Sequence, residues 1–483
     1  MYQQRKLVPN QPGPYNQDSN VEFDIQHQGV VDMTKSYLNI KASITTTPVG
    51  TAKAGYYQVD LSDASANHTP LTNAVMVSNA RYTIDSYVQE EINKSNVLSQ
   101  NLKAYTRNFE DIKSENYNSV GQNASSEFGD YDIWLSPFNT TYKTGTEVSV
   151  NKTASLRCPL SDLELGIGKV DALDTSQRHQ LRLTMDKSYL SPKLHRAYNS
   201  HAAAVSRLDL INYTNGGAGN INYGTDVSFV CTTTFPNMDD FHLCVGQAVE
   251  VSYVLNGGAA VVSESIITKI TRDAPTNVVS IVVDTAIVVP AAGIVTATSM
   301  ICSICTMDWS IDDLELVLYS LHPADPRSKS ASKQIVFSTW LLEQSTMAAG
   351  FTSYNKLFQL EPQTMNVLIL APTNVDSPMS RQDTLIDYRL RLNDVDLTSR
   401  DIEYGDTLYR DRIIMTFLNM GKNYKLKSLD IVYPLAVDAL SLICNPIPVL
   451  EQKQQLQLSM NGTAFAGKTL HVYKQVIRTI NLS

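Results

Sequence analysis

Short runs in which apolar and polar residues alternate recur from one end of this chain to the other, and they constrain its fold more than any other feature. His179 to Met185, HQLRLTM, is the clearest. Leu181, Leu183 and Met185 fall on one face, Arg182 and Thr184 on the other. That period of two belongs to a strand with one face in a core and one in water. VEFDIQ, SYLNIKASITTT, AVMVSNARYTID, SRLDLINY, AVEVSYVL, DLELVLYSL, MNVLILAP, YRLRL, QQLQLSM and LHVYKQVIRTI repeat the theme between turns rich in Gly, Asn, Asp and Pro. Many short strands with few helical patterns predict an all-β protein built from sandwiches.

Two stretches carry helical spacing. One is SYVQEEINKSNVLSQNLKAY, residues 86 to 105. The other is TLYRDRIIMTFLNMG, residues 407 to 421, with Leu408, Ile414, Phe417 and Leu418 on one side, Asp406 as N-cap and Gly421 just past the end. A hairpin precedes the second helix. In YRLRLNDVDLTSRDI, Tyr388, Leu390 and Leu392 form an apolar face, Asn393-Asp394 supplies the turn and Leu397 returns toward the core. It reads as scaffold and surface, with no chemistry asked of it.

A chain of 483 residues exceeds one ordinary core. The polar, Pro-containing stretch HPADPRSKSASKQ, residues 322 to 334, is the expected boundary between two β domains. The expected layout is a flexible arm over 1–19, a first sandwich over 20–325 and a second over 326–483. Within the first, residues 235–300 have their own alternating strands and Gly-Gly and Ala-Pro turns, and they read as an inserted β module of autonomous core.

The residues offer little chemistry. With 39 basic and 48 acidic residues the net charge is -9, which argues against a surface devoted to nucleic acid. None of the 8 histidines falls in a catalytic or phosphate-binding motif. Glu90 with Glu91, and Asp312 with Asp313, are neighbours that would face opposite ways on a strand, so they read as solvated charges rather than a dyad. Cys302 and Cys305 form a CxxC without a second half, and the 6 cysteines read as free buried thiols. His242, between Phe241 and Leu243, reads as a strand histidine with a backbone partner. No catalytic residue, cofactor or metal site is predicted.

The uncharged stretch 285–307 is long enough for a bilayer, but Pro290 and Gly293 break it, so it reads as two buried strands rather than a transmembrane segment. The N-terminus lacks the apolar run of a secretion signal. From residue 452 onward no acidic residue occurs. Lys468, Lys474 and Arg478, with Arg5 and Lys6, are therefore candidates for weak, salt-sensitive contact with nucleic acid, such as a genome, or with another protein. The alternative is a final strand with ordinary surface lysines.

The order of these signals resembles the double jelly-roll major capsid proteins of DNA viruses, the lineage of the adenovirus hexon, polintons and virophages. VEFDIQHQGVVDMTKSYLNIKASI resembles that family's opening strands, and LRCPLSDLELG followed by HQLRLTM resembles its Pro-Leu-Ser turn and next strand. DLELVLYSLHPA resembles the last strand of its first roll. QIVFSTWLLEQ, YNKLFQLEPQTMNVLILAP and the hairpin and helix of residues 388–421 resemble the second roll in order. The resemblance spans about 20–210 and 305–483.

It implies a homotrimer whose six rolls form a pseudo-hexameric capsomer, tiled into an icosahedral shell beside neighbouring capsomers, penton and minor capsid proteins. A shell protein needs no cofactor. Its place would be the virion, after synthesis in the host cytoplasm and assembly in cytoplasm or nucleus. The inserted module would then be a tower on the outer face. Two other readings stay open: a penton or minor capsid jelly-roll protein, and a carbohydrate-binding jelly-roll protein, which the mere 3 tryptophans support thinly.

Overall fold

The computed structural model describes residues 2–26, 28–48, 55–57, 59–64, 72–106, 138, 140–142, 150–194, 210–212, 224–234, 248–254, 260–273, 275–289, 299–302, 305–329, 334–374, 377–380, 385–397, 400–404, 406–420, 438–441, 453–463, 465 and 467–482. Sixteen strands among them make two sandwiches of eight. The first has β1 (Tyr2–Leu7), β2 (Asn20–Asp24), β3 (Val30–Pro48), β4 (Val77–Ile84), β5 (Tyr87–Asn93), β6 (Val150–Pro159), β7 (His179–Met185) and β8 (Cys305–Leu321). The second has β9 (Gln334–Thr346), β10 (Ser353–Leu360), β11 (Thr364–Leu370), β12 (Leu385–Leu392), β13 (Ile402–Glu403), β14 (Asp438–Ser441), β15 (Gln454–Gly462) and β16 (Thr469–Asn481).

Both halves share one strand order. In the first, one sheet runs β1-β8-β3-β6 and the other β2-β7-β4-β5. In the second, the sheets run β9-β16-β11-β14 and β10-β15-β12, with β13 pairing beyond β12. Adding eight to each strand of the first half yields the second. Every pairing is antiparallel, and successive strands cross between the two sheets except at the fourth and fifth strands of each roll, which pair with each other. Each half is a jelly roll. A helix follows the fifth strand in both: α1 (Ser95–Thr106) after β5 and α2 (Thr407–Asn419) after β13.

The alternation seen in the sequence is why these strands form. β7 is buried at His179, Leu181, Leu183 and Met185, β12 at Tyr388, Leu390 and Leu392, and β15 at Leu456, Leu458 and Met460. All of them but His179 join one continuous apolar core through both rolls. The β12 hairpin turns at Asn393 and Asp394, both with positive φ, 47° and 63°, as a tight type I′ turn requires.

Four expectations are corrected. The N-terminal residues are not a flexible arm throughout. Tyr2–Leu7 pair with Leu316–Leu321 as the edge strand β1, whose polar composition hides it from a search for apolar faces. The stretch 86–105 is helical only from Ser95. Residues 87 to 93 form a strand in which Glu90 and Ile92 point inward, and Lys94, with φ 53°, separates strand from helix. On α2 the buried face is Tyr409, Ile413, Thr416 and Phe417, while Leu418 is 51% exposed. Asp406 does cap that helix, accepting from the Thr407 amide at 2.6 Å; Gly421 lies outside the described residues. Finally, the inserted sheet begins before residue 235. Its order is 210–212, 224–234, 278–289, 260–273, 248–254, 299–302, all between β7 and β8.

Candidate assembly surfaces

Antiparallel alternation decides where the long connections emerge. Strands one, three, five and seven of each roll run toward one end, and strands two, four, six and eight return. In the first roll, the connections at the far end are residues 8–19, 49–76, 94–149 and 186–304; those at the near end are 25–29, 85–86 and 160–178. One end therefore carries the longest connections, with α1 and the inserted sheet, and the other carries two short turns and the 160–178 connection. The second roll repeats the asymmetry in part, with 347–352, 371–384, 404–437 and 463–468 at the loop end and 361–363, 393–401 and 442–453 at the turn end.

The two rolls stand the same way up. Along their contact, the β6–β7 connection meets the start of β9, where a Cβ at Gly166 would overlap the Ser338 carbonyl oxygen and the Phe337 ring. Higher up, Glu90 of β5 faces Thr339 of β9. Higher still, the Tyr473 hydroxyl, on the residue paired with Leu342, donates to the Lys94 carbonyl at 2.9 Å. Contacts on β5 and β9 thus advance together, so the strands run parallel across the seam. The connector His322–Lys329 joins turn end to turn end. Its Arg327 ties the N-terminus to the first roll by donating to the Tyr2 hydroxyl at 2.9 Å and pairing with Asp32 at 3.4 Å.

Glu90 is the polar centre of the seam. It is 1% exposed, and its carboxylate accepts from the Gly166 amide at 2.7 Å and the Ile167 amide at 3.1 Å. Burial raises its pKa, with the Thr339 hydroxyl, the two amides and Lys169 working in the opposite direction. Expected as a solvated charge, it is instead a satisfied buried one; Glu91 is exposed on the other face. Asp312 and Asp313 are likewise half-buried, Asp312 accepting from Ser310 at 2.6 Å and from Ser43. β16 is buried on both faces over Leu470–Lys474 because one face lines the core and the other, with His471 and Tyr473, lies under the first roll. The run LHVY, read in the sequence as one more alternating strand, is instead buried continuously.

The basic residues do not form one patch. Lys474 is 6% exposed and points into the second sandwich, where it donates to Glu343 at 2.9 Å and to the Gln359 carbonyl at 2.7 Å. Lys468 is 7% exposed. On the first roll, Arg5 donates to Gln28 and Lys6 pairs with Glu315 at 3.2 Å. Only Arg478 of the C-terminal trio is exposed. Burial of an amphipathic lysine with its head paired is invisible to a count of charges. Cys302 and Cys305 end up on different strands, one pairing with Val249 of the inserted sheet and the other with Pro48 of β3. His242 lies outside the described residues. No group of three or more His, Cys, Asp or Glu side chains placed to hold a metal, and no helix long and apolar enough to cross a membrane, occurs among the described residues.

The two rolls differ in what covers them. α1 is buried from Ser95 to Lys103, packed in part against Ser377–Ser380 of the second roll. α2 leaves Met415 55% and Leu418 51% exposed. The outer face of the β1-β8-β3-β6 sheet carries the buried Val317 and two half-buried tyrosines. On it Tyr37 and Tyr319 lie with ring centroids 6.4 Å apart, and Arg157 stacks 4.3 Å over Tyr37.

Comparison with known proteins adds likeness of shape only. No family model matches the chain, and no curated protein matches it. Among solved structures, the chain is similar to the Faustovirus major capsid protein, with 9% identity, TM-score 0.48, and coverage of 100% of this chain and 90% of that one. It is similar to the mavirus major capsid protein, with 9% identity, TM-score 0.46, and coverage of 99% and 88%. It is also similar to a chain in the Sputnik virophage structure, with 11% identity, TM-score 0.45, and coverage of 100% and 87%. The assignment of fold rests on the strand order.

Proposed function

We propose that this chain is the major capsid protein of a DNA virus, a structural protein that trimerises into pseudo-hexameric capsomers and tiles an icosahedral shell. The observation that carries the reading is the pair of equivalent jelly rolls standing side by side and the same way up. A building block for a shell needs a defined inside and outside and flanks that can meet their neighbours. Two rolls with a common turn end and a common loop end supply both. On this reading the loop end faces outward, the inserted sheet rises from it, and the turn end faces the genome side.

The chain's own partners would be further copies of itself, with penton and minor capsid proteins at the edges of the array. The scatter and burial of the basic residues lend no support to a genome-binding patch; Arg478 remains as an exposed single charge. The reading is tested by the mass of the purified protein in solution. Three chains per particle support it. Five chains would favour the penton reading, and a chain that stays single at high concentration would favour a carbohydrate-binding jelly roll.

A further inference from the structure

The outer face of the second roll's β10-β15-β12 sheet holds a groove of about 320 Å³. It has the size of a small-molecule site, but its lining residues are all polar where such sites are usually apolar. Strand alternation places that lining. On β15, Gln457, Ser459 and Asn461 point outward between the buried Leu456, Leu458 and Met460. Opposite them on β12 stand Asp387, Arg389 and Arg391, alternating with the buried Tyr388, Leu390 and Leu392. Asn355 of β10 faces Ser459 from the other side, and Asp401 closes the groove beyond β12. These side chains hold one another in place. Asn461 donates to Asp387 Oδ1 at 2.7 Å, and Gln457 donates to Asn355 Oδ1 at 3.0 Å. Arg389 pairs through Nε with Asp401, and Arg391 through Nε with Asp396, each at 2.6 Å. Each of these bonds engages one atom of a planar group. The remaining atoms form a fixed array of both kinds, oxygens that accept and N–H groups that donate. No lysine, the mobile charge of a merely wetted face, is among the lining residues.

We propose that this groove is a binding site for a neutral saccharide. Charge decides the class of ligand. In the lining, Arg389 and Arg391 balance Asp387 and Asp401, so neither a full anion nor a cation meets a net opposite charge. Interleaved donors and acceptors match hydroxyl groups instead, each of which gives one hydrogen bond and accepts others. Because the array is already held by its own bonds, few side chains must be ordered when the ligand arrives. Beside the lining, Leu357 lies opposite Gln457 and is 51% exposed, an apolar spot for the C–H face of a sugar ring. The site goes beyond the shell role and is complete within one chain, whatever the oligomeric state of the protein.

Saturation-transfer NMR on the full-length protein tests the site, with lactose, maltose and mannobiose as neutral probes and inorganic sulfate as a competing anion. At least one of the three disaccharides is expected to receive saturation from the protein, and sulfate is expected not to displace it. Asp387→Ala/Arg389→Ala should weaken that binding by about tenfold or more, because it removes two groups that bond hydroxyls. Gln457→Ala changes no charge and should weaken binding in the same direction, which keeps the test decisive if the double variant does not fold. Arg182→Ala, exposed on the equivalent face of the first roll, should leave binding unchanged. Saturation of none of the three disaccharides, displacement by sulfate, or binding that survives the groove variants overturns the assignment.

Discussion

His179 and His471 show how single residues tie each roll to pH. His179 is fully buried in the first roll, sharing a hydrogen bond with the Tyr82 hydroxyl at 2.9 Å, and burial pushes its pKa down to about 4. His471, at the seam, shares a hydrogen bond with Gln344 at 2.9 Å, and burial with the nearby Lys94 charge lowers it to about 4 as well. The unfolded chain binds protons at these sites near the ordinary value of 6.5. Their contribution to stability is therefore complete above that pH and is lost as pH falls toward 4, by about 3 kcal/mol per histidine when fully expressed. Glu90, with its raised pKa, acts with the opposite sign. Thermal unfolding from pH 7.5 to 4 should show a falling midpoint, and His179→Gln/His471→Gln should flatten that slope. An unchanged slope would mean the imidazoles titrate normally. Gly166 defines the other residue-scale constraint. With ordinary αR backbone, φ -63°, it needs no special conformation, so its role is space alone. Gly166→Val should wedge the seam and cost about 1–3 kcal/mol, read as a lower unfolding midpoint with unchanged far-ultraviolet circular dichroism.

At the scale of elements, α2 depends on one buried ring. Phe417 is fully buried beside Tyr409 and Ile413, so Phe417→Ala should cost about 3–5 kcal/mol of stability and reduce the soluble yield. A denaturation midpoint equal to that of the wild type would contradict this packing. The elements also show what was legible beforehand. HQLRLTM and YRLRL announced their strands because one face meets the core and the other meets water, which imprints a period of two. The helix α2 was visible from Asp406 and its spacing, but its orientation was not. Ile413 and Ile414 are equally apolar, and the covered side is set by tertiary packing, where Tyr409 meets the Tyr404 and Tyr388 rings and the helix lies against β14. β1 and Glu90 escaped for a shared reason. A polar edge strand gains its stability from backbone pairing with β8, and a buried carboxylate gains its place from two amides on a distant turn. Neither leaves an apolar pattern near itself in the chain.

At the scale of the molecule, the repeat of one eight-stranded order is the organising fact, and it was only half visible in the sequence. The strands could be read, but their pairing across residues 7 to 316 or 334 to 481 depends on closure of the whole sandwich. The inserted sheet, residues 210–302, leaves and re-enters at the loop end, between strands that end there. We propose that it is an autonomous module. Replacing residues 209–303 with a short Gly-Ser linker should leave both rolls folded, with a cooperative unfolding transition retained. Loss of that transition would place the sheet within the core of the first roll.

The central claim is that two equivalent rolls per chain make a six-fold-like building block with distinct ends. Electron cryo-microscopy of the purified, full-length protein tests it most directly. The account predicts top views with six lobes around a three-fold axis, and side views with projections confined to one end. Five-lobed particles, isolated two-lobed chains, or projections emerging from both ends would contradict it.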